Sequence, residues 1–213
     1  MPEETSMLAG QFTDADQQSE AAHLGMWTFL ATEVLFFGGL FMAYILYRHL
    51  YPDAFAIGSR QTNLLFGTLN TAILLTSSLT MALAVHAAQE SKTKIAVRCL
   101  LLTLLFAFGF LVVKGFEYHE DFVEQLVPGP NFNAALPPRA GLFFWLYWAM
   151  TGLHAIHVTV GIGLLSVITV LARRGRFSSR YYTPVEVSGL YWHFVDLVWI
   201  FLYPSLYLID RHA

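Results

Sequence analysis

Five stretches of this chain are long and apolar enough to cross a lipid bilayer, and that property constrains the fold more than any other. A helix needs roughly 20 mostly apolar residues to span about 30 Å of hydrocarbon. Segments near residues 24–47, 62–88, 95–118, 140–171 and 187–209 meet that demand. Their apolar runs are continuous and do not alternate at every second residue, which argues against a porin-like barrel. Only 13% of the residues are charged, about half the fraction expected of a soluble domain. The expectation is an all-α polytopic membrane protein, a bundle of five transmembrane helices.

The segments between the spans suggest how they are organised. Residues 1–22 read as an acidic polar amino-terminal tail carrying Glu3, Glu4, Asp14, Asp16 and Glu20, and residues 23–213 as one five-helix domain. No basic residue precedes Arg48, so the positive region of a cleavable leader is missing and the first span is expected to stay in the mature protein. The short connection over Gln89 to Lys94 makes the second and third spans antiparallel neighbours. The connection from Glu120 to Arg139 contains Pro128, Gly129, Pro130, Pro137 and Pro138, which fits a surface loop without a long helix. Pro184 suits the first turn of the last span, and Tyr203-Pro204 a kink or its end. The fourth segment is longer than crossing requires, which suggests tilt or a protruding turn.

Charge distribution reports orientation. Lys92, Lys94, Arg98, Arg173, Arg174, Arg176 and Arg180 fall on one side, whereas Arg48, Arg60, Arg139 and Arg211 fall on the other with Glu120, Asp121 and Glu124. Basic residues in short loops stay in the cytoplasm. The amino terminus is therefore expected inside and the carboxyl terminus outside. The same basic loops suit anionic lipid headgroups better than nucleic acid. Gly38, Gly39, Gly67, Gly152, Gly161 and Gly163 are expected where helix backbones approach closely. No repeat of the kind that builds inverted transporters is evident.

Several polar residues lie within the apolar segments, where each needs a partner, water or a proton. Glu33 is about 14 Å into the first span at 1.5 Å per residue, so it is expected to face the protein interior or an adjoining subunit. His193 and Asp196 lie three apart in the fifth span, on one helix face, and can share a polar network. His154 and His157 form a second three-residue pair in the fourth. Binding lipid headgroups, ordering water and joining helices all remain open for these groups. At the opposite end, Lys114 is expected to snorkel to the interface while pairing with Glu117. Arg60 and Asn63 stand at the corresponding entrance of the second span, with Asn70 deeper, to complete an outer-end polar network.

Motifs for independent chemistry are missing from the sequence. There is no HExxH, P-loop or nucleotide-binding glycine motif, no Cys-x-x-Cys-His for c-type haem, and neither copy of the Glu-x-x-His pair of ferritin-like dimetal sites. The one cysteine, Cys99, reads as a small buried or lipid-facing residue. Neither a catalytic group nor a metal or cofactor site is assigned to this chain. An independent membrane metalloenzyme or transporter is the more distant alternative.

Glu33-Val34-Leu35-Phe36-Phe37 in the first span and Tyr191-Trp192-His193-Phe194-Val195-Asp196-Leu197-Val198-Trp199 in the fifth closely resemble haem-copper oxidase subunit III. Thr151-Gly152-Leu153-His154-Ala155-Ile156-His157-Val158-Thr159-Val160-Gly161 looks like the histidine-containing helix of that family. The stretch from Asn70 to Thr80, and Gly115 to Tyr118 with Glu117, are similar to further family helices, so the resemblance covers nearly everything after residue 22. Many members have seven transmembrane helices. This chain lacks the first two and resembles the five-helix bacterial form, so the lipid-holding cleft of the long forms does not carry over intact.

The resemblance implies a non-catalytic accessory subunit of a terminal oxidase, with haem and copper in a separate catalytic subunit I, and subunit II and membrane lipids as further partners. It implies stabilisation of the core, lipid organisation with bound phospholipid, and support of proton uptake. Glu33 matches the family's membrane glutamate, while His154, His157, His193 and Asp196 match its recurring internal polar positions. The bacterial cytoplasmic (inner) membrane is the expected location. Cytochrome c oxidase is the preferred complex, favoured over a quinol oxidase by glutamate where related quinol-oxidase subunits tend to carry aspartate. A component associated with nitric oxide reductase stays open beside it.

Overall fold

The computed structural model describes residues 10–137, 139–179 and 181–209. It contains six α-helices: α1 (Ala15–Leu50), α2 (Pro52–Gln61), α3 (Leu64–Gln89), α4 (Thr93–Val123), α5 (Ala140–Arg173) and α6 (Thr183–Tyr203). A π-helical turn, Pro204–Leu208, continues α6. Five of the helices are long and apolar enough to cross a membrane. The fold is all-α, as expected; the described residues form no sheet beyond one isolated bridge between Ser178 and Tyr181.

Local chemistry sets the helix ends, and it extends them beyond the apolar stretches. Asp14 caps α1 by accepting from the Gln17 backbone N–H at 2.7 Å, and the Gln17 side chain accepts from the Thr13 N–H at 2.8 Å, a near relative of the capping box. α1 therefore begins at Ala15, well before the apolar stretch does. The short helix α2 opens on Pro52 at its first turn, where the missing N–H is no loss. Asn63 then caps α3, accepting from the N–H groups of Leu65 and Phe66. Gly175, with φ +70°, ends α5 in a left-handed turn closed by Arg176 N–H on the Leu171 carbonyl, a conformation that favours glycine. Pro184 falls in the first turn of α6.

α6 is the centre of the bundle. It packs against α3 and α5, which both also pack against α4, while α1 lies outside against α6 and α5. Of the apolar stretch of the last span 61% is buried; the corresponding figure for α1 is 17%. Trp192 and Trp199 fill the centre with no exposure and anchor α6 to α3 by donating from Nε1 to Ser77 Oγ and Thr71 Oγ1, each at 3.0 Å. Such large rings bury much apolar surface while satisfying their one donor.

Close approach occurs at only some of the expected glycines, and also at Gly58 against Phe143 and at Gly189 against Val85. A Cβ at Gly161 would stand 2.8 Å from the Trp192 ring, and one at Gly67 would stand 2.9 Å from Tyr203 and Tyr207. Gly38, Gly39, Gly152 and Gly163 have nothing within 4 Å of that position. For these four the expectation of close helix contact inside the chain is corrected: the backbone is open there to whatever surrounds the bundle.

Candidate functional site

Polar side chains gather inside the bundle in two places, one at mid-height on the α1 edge and one enclosed near the end of α4. At the edge, Glu33 of α1 meets His157 of α5, with Oε2 and Nε2 3.1 Å apart. Both side chains keep some exposure, 17% and 18%. His157 Nδ1 lies 2.8 Å from the Leu153 carbonyl, an acceptor only, so this nitrogen carries a hydrogen. Nε2 then bonds to Glu33 in one of two ways: as an imidazolium donating to a carboxylate, or as a neutral ring accepting from a carboxylic acid. Phe37 packs edge-on to the imidazole at 5.2 Å, and Tyr191 donates to the His157 carbonyl at 3.0 Å.

The histidine pair of α5 is split. While His157 faces α1, His154 is fully buried between Phe110 of α4 and Trp199 of α6, at ring separations of 5.5 and 5.2 Å. Neither of its nitrogens has a hydrogen-bond partner among the described residues. His193 turns to α3, where Nδ1 and Ser78 Oγ are 2.8 Å apart. Among the described residues no well-formed hydrogen bond reaches either carboxyl oxygen of Asp196, 3% exposed and near Ser78, or the side-chain amide of Asn70. No hydrogen bond joins Asp196 to His193, so the two do not form the direct pair their spacing allows. Buried polar atoms without donors are places where internal water belongs.

The second place is enclosed. Lys114 is 2% exposed and Glu117 1%, and their Nζ and Oε2 are 3.1 Å apart. Lys114 does not snorkel as expected, because the bundle itself supplies its acceptors: Nζ donates to Tyr147 Oη of α5 at 3.1 Å and to Tyr207 Oη of the π turn at 2.7 Å. Tyr207 donates to Glu117 Oε1 at 2.5 Å. Tyr147 Oη stands 2.8 Å from Glu117 Oε1 and 2.9 Å from Asp121 Oδ2. The ammonium also sits over the rings of Tyr118 and Tyr147, 4.8 Å from each centroid, an arrangement that favours a cation. A charge so placed is expensive to bury and is held by its partners.

The outer-end set expected from the sequence divides here. Asn63 caps α3 and donates from Nδ2 to Glu120 Oε2 at 3.1 Å, while Arg60 is exposed near the end of α2. The Asn63–Glu120 bond is exposed and lies outside the enclosed group. Sequence reading missed Asp121, Tyr147, Tyr207 and Ser78 as site residues. Asp121 was within reach of it, seven residues beyond Lys114 and four beyond Glu117 on one helix. In the loop beyond α3, Lys92 bonds to Glu90 at 2.7 Å and holds that carboxyl below its ordinary range.

Among the described residues no three of His, Cys, Asp and Glu gather closely enough to hold a metal ion. What the arrangement offers is proton-holding pairs and buried hydrogen bonds. The family described as Cytochrome c oxidase subunit III matches residues 3–210. Cytochrome c oxidase subunit 3 of Coturnix japonica is 34% identical over 190 residues, covering 86% of this chain and 67% of the relative. Its counterparts in Gallus gallus and Gadus morhua are 34% and 33% identical, with the same coverage. A match along nearly the whole of this chain, on a bundle with five spans, places it in the cytochrome c oxidase subunit III family.

Proposed function

We propose that the chain is a non-catalytic accessory subunit of a haem-copper terminal oxidase, in the form that oxidises cytochrome c, and that it stabilises the core while supporting lipid organisation and proton uptake. Haem and copper belong to catalytic subunit I in this reading, with subunit II completing the core. The observation that carries the reading is the Glu33–His157 pair, whose Oε2 and Nε2 meet at 3.1 Å at mid-height on the helix the bundle covers least. Intramembrane ionisable pairs are retained where they do something. A partner helix laid on α1 would enclose the pair and bring it beside that helix's own polar groups. His193, Asp196 and His154 extend the polar positions inward and hold internal water in this reading.

The protein is assigned to a bacterial cytoplasmic membrane with the amino terminus inside, in keeping with the seven basic residues on that side. Gentle extraction followed by intact-complex mass spectrometry with haem and copper analysis tests the core of the proposal. The expected result is a complex in which this chain accompanies a larger chain carrying both. Recovery of the chain alone with turnover of its own would overturn it. With complexes matched for haem content, Glu33→Gln is expected to shorten sustained oxygen consumption and to weaken proton uptake, and unchanged values would remove Glu33 from the mechanism.

A further inference from the structure

The enclosed group at the end of α4 poses a question of hydrogen counting that its role in holding helices together does not answer. Lys114 donates to both tyrosine oxygens, and Tyr207 uses its single hydrogen on Glu117. Tyr147 also has a single hydrogen, yet its oxygen lies within 2.8 Å of Glu117 Oε1 and 2.9 Å of Asp121 Oδ2. A hydroxyl can donate to one of two carboxylates, not both, and the other contact then sets two lone pairs against each other. One additional hydrogen on a carboxyl removes the conflict. With it on Asp121, the acid donates to Tyr147, Tyr147 donates to Glu117, and every short contact becomes a hydrogen bond.

Charge counting leads to the same place. One ammonium faces two carboxyl groups in a region where Lys114, Glu117 and Asp121 are at most 4% exposed. Two carboxylates would leave one negative charge uncompensated, and one bound proton leaves none. Among the described residues the other groups near Asp121 do not supply that charge. Glu124, at the end of α4, adds like charge, α5 offers Tyr147, and Tyr207 of the π turn is engaged with Glu117. Tyr118 is turned to Thr151 at 2.9 Å, and Glu120 is paired with Asn63.

We propose that Asp121, Tyr147, Glu117, Tyr207 and Lys114 form a proton-binding site, holding one exchangeable proton on Asp121 across the Tyr147 hydroxyl. Binding converts the Asp121 carboxylate into the acid, and release returns the proton to water. Asp121 is the member nearest the end of α4, next to the exposed His119, Glu120 and Glu124, so exchange takes place with the aqueous side opposite the amino terminus. This site lies apart from Glu33 and His157 and is independent of which oxidase the chain serves.

Infrared difference spectroscopy on the complex carrying this chain, labelled with carbon-13 aspartate, reads the site directly. The expected result is a protonated-carboxyl C=O band near neutral pH that is lost in Asp121→Asn and falls as pH rises in the wild type. Asp121→Asn keeps a donor for Tyr147 and is chosen for that reason. Tyr147→Phe gives the second reading: both carboxyls remain, the bridge is gone, and the band moves to the frequency of a free acid. Spectra of wild type and Asp121→Asn that superimpose across the pH range would overturn the site. If Asp121→Asn does not enter the complex, a Tyr147→Phe spectrum identical to that of the wild type would overturn it equally.

Discussion

Lys114 and Glu33 are both ionisable side chains placed within membrane-spanning helices, and the bundle treats them in opposite ways. Around Lys114, α4, α5 and the π turn close completely, so that the ammonium has two tyrosine hydroxyls, a carboxylate and two ring faces and no exit. Around Glu33 the chain provides one histidine and then stops, leaving the pair partly exposed on a helix only lightly buried. The difference separates a group completed by its own chain from one completed by something outside it. Removing the first disturbs the fold, whereas removing the second disturbs what the fold is attached to.

That contrast can be broken most easily at Lys114. Lys114→Met leaves two carboxyls enclosed without their cation, and loss of one partner of a buried pair typically costs about 3–5 kcal/mol. The folded fraction in detergent, followed by circular dichroism during thermal unfolding, should fall steeply. A loss under about 1 kcal/mol would mean that the enclosure is not what holds Lys114. Next in size is Gly161→Leu, which drives a side chain into Trp192 from 2.8 Å and should cost about 1–3 kcal/mol or more by overpacking. The same assay measures it.

Smaller effects sharpen the comparison at the edge. A double-mutant cycle with Glu33→Gln and His157→Gln on the isolated chain should give a coupling of about 0.6 kcal/mol, the average for polar pairs between membrane helices. A coupling several times larger would make this pair structural too. The smallest change is expected from Gly38→Ala. Nothing lies within 4 Å of its new methyl group, and a helix-interior glycine gives up about 0.5 kcal/mol relative to alanine. The isolated chain should therefore gain slightly in thermal stability.

The five spans were legible because apolar length is a property of consecutive residues. The extra turns of α1 were not, since the residues from Ala15 to Ala22 are mostly polar and continue a helix outside the stretch that hydropathy detects. α2 escaped for a similar reason, although Tyr51-Pro52 before it and Asn63 after it were its punctuation. Lys114 and Glu117 could be paired from their spacing, but their enclosure could not. It depends on Tyr147 and Tyr207, which lie 33 and 93 residues further along the chain. Glu33 and His157, 124 residues apart, show the same limit. His154 and His157 show its converse, since adjacency in sequence put them on one helix and three-dimensional packing sent them to different neighbours.

The π turn after α6 has a consequence for how such a chain is made. Pro204 begins it, and the turn presents the Tyr207 hydroxyl to Lys114, the Leu206 carbonyl to Ser59 and the Ser205 carbonyl to Tyr44. Tyr207 leaves the ribosome 93 residues after Lys114. Until then Lys114 on α4 has Glu117, one helical turn away, as its partner, joined by Tyr147 once α5 arrives. The five residues can therefore come together only once the end of the last span has been made. A chain halted before the turn would lack the Tyr207 acceptor that helps enclose Lys114.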